Sequence, residues 1–182
     1  MSGMIKQLHT DHVNMARLLD LIDEQLAVFQ TGGAPDYVLM TDIMQYMTNY
    51  PDLFHHPKEN LIFRRLAELD QGIDSTVSDL IQEHDTLTHQ GEVFLNVLKM
   101  VMNEHPVERS ELESGAREYV STLRMHMNTE EGQVFPIVQK TLQKEDWEGI
   151  DAAMGNIEDP LFGKKTVETE YLALYNYIQD HD

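Results

Sequence analysis

The 182-residue sequence contains no cysteine, which excludes disulfides, thiolate zinc sites, iron–sulfur ligation and cysteine nucleophiles together. Any metal the chain holds must therefore be held by nitrogen and oxygen. Positive charge is scarce as well: 13 Lys and Arg stand against 32 Asp and Glu, a formal charge of −19. Such a surface repels phosphate backbones and anionic lipid, so neither nucleic acid nor membrane is an expected partner. The acidic residues are interspersed instead of blocked, the pattern of a solvated helical surface. Long apolar runs are absent too. No segment approaches the roughly 20 apolar residues that cross a bilayer, and the opening MSGMIKQLHTDH has no basic stretch leading into an apolar one. The expectation is a soluble, cytoplasmic protein, whose length and 41% hydrophobic content fit one domain over residues 1–182.

What the sequence does have is histidine, nine in all, set into helical seams. Ile5, Leu8, His12, Met15, Leu19, Ile22, Leu26 and Phe29 recur in steps of three and four, the period of one buried helical stripe. Thr31-Gly32-Gly33-Ala34-Pro35 ends that helix. A second segment, about 36–70, carries Val38, Leu39, Ile43, Met47, Tyr50, Phe54, His55, Glu59, Ile62, Leu66 and Leu69, with Pro51 and Pro57 predicting a kink. A third repeats the first pattern as Val77, Leu80, His84, Leu87, Gly91, Phe94, Leu98 and Val101. Asp74 or Ser75 is placed to cap it, and Ser110 with Glu113 reads as a capping box for the next helix. The fourth seam runs Leu112, Ala116, Tyr119, Leu123, His126, Glu130, Gln133 and Ile137, with Pro136 kinking its end. Four long helices on short loops predict an all-α fold, an antiparallel up-and-down four-helix bundle over about 4–142. The remainder, about 143–182, reads as a short C-terminal helical extension: a helix around Trp147, a break from Gly155 to Pro160, and an amphipathic stretch with Tyr171, Leu174, Tyr175 and Ile178.

Each seam holds polar groups that an apolar core does not tolerate unpaired. At about 1.5 Å per residue, His12 and the His55/Glu59 pair lie at nearly equal heights from the turn that joins their helices. His84 and the His126/Glu130 pair lie at equal heights from theirs. The six groups thus form one polar layer. His55 with Glu59 and His126 with Glu130 are each one helical turn apart on one face. Four imidazoles and two carboxylates are too many for one tetrahedral zinc, and they suit two octahedral ions bridged by both carboxylates and a shared oxo or hydroxo group. One position per ion would stay open for a small ligand.

His12, the run His55-His56-Pro57-Lys58-Glu59, Glu83-His84, and His126 followed by Glu130-Glu131 resemble the motifs of the hemerythrin HHE cation-binding family over about residues 4–142. The resemblance implies a four-helix bundle with a non-heme di-iron centre that reacts with oxygen, nitric oxide or related small molecules. Zinc is a possible substitute. The metal ligands it implies are His12, His55, Glu59, His84, His126 and Glu130. Oxygen carriers of the family have a further histidine four residues after the position of His84, where this chain has Thr88, and an aspartate five residues after the position of His126, where it has Glu130 at four. These departures resemble the broader bacterial branch of sensors and stress-response proteins. Ferritin-like bundles use Glu-x-x-His, which occurs nowhere in the chain.

Some alternatives stay open. His55 is the favoured ligand of its pair of adjacent histidines, and His56 takes its place if the Pro57 kink rotates the helix. His89 lies about 140° around from His84, off the seam unless a π-bulge recruits it. His9 is read as supporting or surface, His105 and His181 as solvent residues, and Tyr46, Tyr50, Tyr119 and the methionines as packing. The alternative functions are a di-iron enzyme acting on peroxide or nitric oxide or in iron–sulfur repair, and a metal-stabilised interaction module.

Overall fold

The computed structural model describes residues 3–155, 157–163 and 167–181. Residue 156 of the expected break, and residues 1, 2 and 182 at the ends of the expected domain, lie outside them. Among the described residues there are helices and no strand, and no helix is long and apolar enough to cross a membrane. Helix α1 spans Gly3–Gln30, α2 Tyr37–Met47, α3 His56–Leu69, α4 Asp74–Met102, α5 Arg109–Thr129, α6 Phe135–Thr141, α7 Lys144–Met154 and α8 Leu172–His181. Helices α2 and α3 are joined through a π-helical turn at Pro51–His55, and α5 runs into α6 through another at Glu130–Val134. Four rods result: α1, α2 with α3, α4, and α5 with α6.

The two π turns have one cause. Pro57 and Pro136 each stand two residues beyond a π turn, and a proline within a helix lacks the N–H and clashes with the carbonyl four residues back. The backbone closes instead with a wider ring: His56 N–H bonds the Pro51 carbonyl, and Phe135 N–H the Glu130 carbonyl. The extra residue shifts the seam that follows. Val134 and Val138 are buried where spacing predicted Gln133 and Ile137, and Gln133 is exposed. Leu69 and Val38, expected in the second seam, are also exposed, as are Met100, Met102 and Met125. The cap positions differ as well. Glu108, without a side-chain bond, precedes α5 in place of the expected Ser110/Glu113 box. Asp70 accepts from Gly72 N–H ahead of α4, and neither Asp74 nor Ser75 caps it.

Two apolar clusters fill the interior. One gathers Ile5 and Leu8 from the start of α1, Ile62, Phe63 and Leu66 from α3, Val77 and Leu80 from the start of α4, and Val134, Phe135 and Val138. The other takes the far half of α1 from Met15, the buried face of α2 from Leu39 to Met47, α4 from Leu87, and α5 up to Met127. Between them lies a layer of buried polar side chains, so every rod crosses from one apolar core through that layer into the other. Gly91 belongs to the second core, where a Cβ would lie 3.1 Å from Thr48 Cγ2 and 3.3 Å from Tyr119 Cε2. Gly91→Val is expected to overpack this contact and cost about 1–3 kcal/mol, read as a lower midpoint in thermal unfolding.

The C-terminal segment is fastened to the rods. Helix α7 packs on α3 and α8 on α2. Buried Asp159 accepts from Tyr46 Oη at 2.8 Å and from the backbone N–H groups of Leu161 and Phe162 at 2.8 and 2.9 Å. Burial pushes its carboxyl above the ordinary range despite these donors. Removing the acceptor leaves a buried phenol unsatisfied, which costs about 1–3 kcal/mol. Asp159→Ala is therefore expected to accelerate amide exchange across Leu172–His181 while leaving exchange in α4 unchanged.

Candidate metal centre

The polar layer brings together His12, His55, Glu59, His84, His126 and Glu130, all buried, and His56 with them. Glu59 and Glu130 are fully inaccessible to solvent. Glu59 turns Oε1 toward His55 Nε2 at 3.2 Å and His12 Nε2 at 3.4 Å, and Oε2 toward His84 Nε2 at 3.4 Å. Glu130 turns Oε2 toward His12 Nε2 at 3.3 Å, and Oε1 toward His126 and His84 Nε2 at 3.1 and 3.5 Å. Each carboxylate thus offers one oxygen to the His12 group and the other to the His84/His126 group.

These approaches lack hydrogen-bonding geometry. The Nε2 atoms of His12, His55, His56, His84 and His126, and both oxygens of Glu59 and of Glu130, have no hydrogen-bond partner. Each buried polar atom left so costs about 1–3 kcal/mol, and here they converge on one place. Two subsets have one ligand atom from each member within 4.8 Å of the others: His12, His55 and Glu59, and His56, Glu59, His84 and His126. A set of imidazoles and carboxylates whose inward-facing atoms have no other partner fits metal cations, which take each imidazole in its neutral form.

The other ring nitrogens are fixed by a closed circuit of contacts between helices. Asp11 of α1 holds His55 Nδ1 at 3.0 Å, Asn60 of α3 holds His84 Nδ1 at 2.8 Å, Glu83 of α4 holds His126 Nδ1 at 2.9 Å, and Glu131 of the last rod holds His12 Nδ1 at 2.8 Å. Each rod steadies the imidazole of another, which sets the tautomer so that Nε2 carries the free lone pair. Asp11 is itself held by Gln7 Nε2 at 2.7 Å, and Glu131 also bonds the exposed His9 at 3.0 Å. Spacing along one helix did not reveal these acceptors. Their signal is adjacency: Asp11, Asn60, Glu83 and Glu131 each neighbour a seam residue, which turns them about 100° toward the next helix.

Electrostatics follow from crowding carboxylates against imidazoles out of water. Burial pulls the His12, His55 and His84 imidazoles down, but the neighbouring carboxylates outweigh it. His12, beside Glu130, Glu131 and Glu59, ends well above the ordinary value. His55, beside Glu59 and Asp11, and His84, beside Glu130 and Glu59, are each raised to about 9. Burial pushes Glu59 and Glu130 up, and the surrounding histidines hold both below the usual range instead. Burial dominates at His56 and, with His84 and His55 nearby, lowers it to about 4 against the pull of Asp52. Burial and then Asp11 raise the Tyr50 phenol, so it stays protonated beside the carboxylate that holds His55.

Phe135 stacks on His12 at 5.5 Å and Phe63 on His84 at 6.3 Å, walling the layer with rings. His89, His105 and His181 are exposed. Sequence reasoning treated His55 and His56 as alternatives, but both reach the layer. His55 faces His12, with ring centroids 4.9 Å apart, and His56 stacks on His84 at 4.4 Å. The π turn that ends at His55 is the local cause, since it widens the backbone where the two residues lie.

A family model described as the hemerythrin HHE cation binding domain matches residues 3–138. No curated protein matches the chain.

Proposed function

The chain belongs to the hemerythrin HHE cation-binding family, and from that premise we propose that it is a non-heme di-iron protein. In this reading it binds oxygen, nitric oxide or a peroxide-class small molecule for sensing, protection or iron handling. The ligands are His12, His55, Glu59, His84, His126 and Glu130. The observation that carries the reading is the pair of buried carboxylates, each with one oxygen turned to each group of imidazoles. A single ion has no use for that disposition. The absence of sulfur and the shared carboxylates favour iron over a closed tetrahedral zinc site. When bound, iron supplies redox change and an exchangeable coordination position. The chain's own residues orient Nε2 through the circuit of acceptors and exclude bulk water with Phe63, Phe135 and the two apolar cores, which restricts ligands to small molecules.

The order of elements in the apolar clusters supports an antiparallel up-and-down four-helix bundle. Starts of α1 and α4 share one core with α3 and α6, the ends of their rods. The packing of α7 and α8 on these rods supports one domain with a helical extension. Protein purified from iron-replete medium, reduced anaerobically and exposed to oxygen is expected to develop charge-transfer absorption that reverses on removal of oxygen. Absence of iron, or irreversible bleaching, sinks the proposal. Sustained peroxide consumption beyond a stoichiometric burst would identify turnover in place of reversible binding.

A further inference from the structure

Resting on the di-iron reading, we propose that Tyr50, Tyr46 and Tyr171 carry electrons to the metal centre from a surface groove, where a small phenol-class donor is oxidised by peroxide. All three rings are buried. The Tyr50 phenol sits beside Asp11, the carboxylate that holds His55 Nδ1 at 3.0 Å. The Tyr50 ring stacks on Tyr46 with centroids 5.9 Å apart and 22° between planes, and Tyr46 meets Tyr171 edge-on at 5.7 Å and 88°. Tyr171 in turn floors a groove walled by Asn49, Leu53, Leu95, Lys99 and Glu170. The leucines and the polar groups around them suit an aromatic alcohol. The column of rings thus starts at the support of a metal ligand and ends where a donor from solvent can dock.

Packing accounts for three rings but not for three hydroxyls, because phenylalanine fills nearly the same volume without a polar atom to satisfy. Here each hydroxyl has a carboxylate of its own: Asp11 beside Tyr50, Asp159 at 2.8 Å from Tyr46, and Glu170 beside Tyr171. Burial, and then those carboxylates, hold all three phenols protonated above their ordinary range. A protonated phenol gives up an electron readily only as its proton leaves. The neighbouring carboxylate is placed to take that proton and to return it when the electron is replaced. Phe162 also meets Tyr46 edge-on, at 5.8 Å, but without a hydroxyl it stands off the path. One peroxide takes two electrons and two protons, its O–O bond breaks and two waters form. Two donor molecules supply them, each losing one electron through the tyrosines and one proton to solvent, the source of the protons consumed. The tyrosines end unchanged.

Iron-loaded protein mixed with hydrogen peroxide and frozen for electron paramagnetic resonance tests the path, with guaiacol as the donor probe. Wild type is expected to show an organic radical signal that narrows when the protein is made with ring-deuterated tyrosine, and guaiacol is expected to quench it. Tyr50→Phe is expected to lose the signal. Tyr46→Phe and Tyr171→Phe are expected to keep a radical, stranded on the centre side of the break, that guaiacol no longer quenches. A packing role would not separate those two outcomes. No tyrosine signal in iron-loaded wild type, an unchanged signal in Tyr50→Phe, or continued quenching in Tyr171→Phe overturns the path. Iron content and helical circular dichroism are read for each variant; should Tyr46→Phe not fold for want of its bond to Asp159, the other two decide. A wild type that takes up no pair of ions defeats the di-iron reading and the path with it, whereas a loaded wild type without the radical defeats the path alone.

Discussion

Glu130→Ala is expected to release both metal ions, reducing bound metal in elemental analysis to near zero. Glu130 is shared: its Oε2 faces His12 and its Oε1 faces His126 and His84, so its loss removes an oxygen from each side of the centre at once. His126→Ala removes a donor from one side only and is expected to lose the ion held by His84 first. The metal-free Glu130→Ala protein is expected to be destabilised as well. Taking one partner from a buried charged pair costs about 3–5 kcal/mol, and the raised imidazoles limit the loss by giving up their protons. If neither variant reduces metal content, the ligand assignment is wrong.

Metal removal and pH act on the same atoms in opposite senses. His12, His55 and His84 have raised folded-state values. The stability their charged forms give the metal-free fold is complete below the ordinary histidine value of about 6.5. It is lost as pH rises through about 9 for His55 and His84. Glu59 and Glu130 are depressed, so their contribution is present above about 4.5 and is lost as pH falls through their folded values. The metal-free protein is therefore most stable on the acid side of neutrality. Bound metal needs the imidazoles neutral, so protons compete with it and affinity rises toward pH 9. The difference in thermal midpoint between loaded and chelated protein is expected to be small near pH 5 and to widen steadily to pH 9. At metal concentrations about 1,000 times the dissociation constant the stabilisation is about 4 kcal/mol, on the order of 10 °C for a chain of this size. A gap that stays constant with pH would contradict a centre built on these imidazoles.

The two metal-site variants and the pH series depend on residues that the helical period made visible. His12, His84 and His126 sit in seams otherwise filled by Leu8 and Met15, Leu80 and Leu87, and Leu123. A charged or polar residue in such a stripe stands out because burial without a partner is costly. Equal distance from the turns then placed them at one height, because helical rise is constant. Where the rise and twist are not constant, spacing failed. After the π turn at Glu130–Val134 the buried stripe passes from Gln133 and Ile137 to Val134 and Val138. Before α3 the other π turn accompanies the arrival of two consecutive histidines in one layer, where an α-helical wheel sets neighbours about 100° apart and spacing had treated the two as alternatives.

Sequence alone determined the helical class, the donor chemistry limited to nitrogen and oxygen, and six of the seven side chains that meet in the layer. These follow from short-range rules: the period of a helix, the cost of a buried charge and the absence of cysteine. Tertiary structure decided the rest. It added His56, split the imidazoles into a group of two and a group of three, and turned the two oxygens of each glutamate to opposite sides. It also closed the circuit in which Asp11, Asn60, Glu83 and Glu131 each steady a ring on another rod. Those features depend on how four rods face one another and on where two prolines force the backbone to widen, and neither is a property of any one segment.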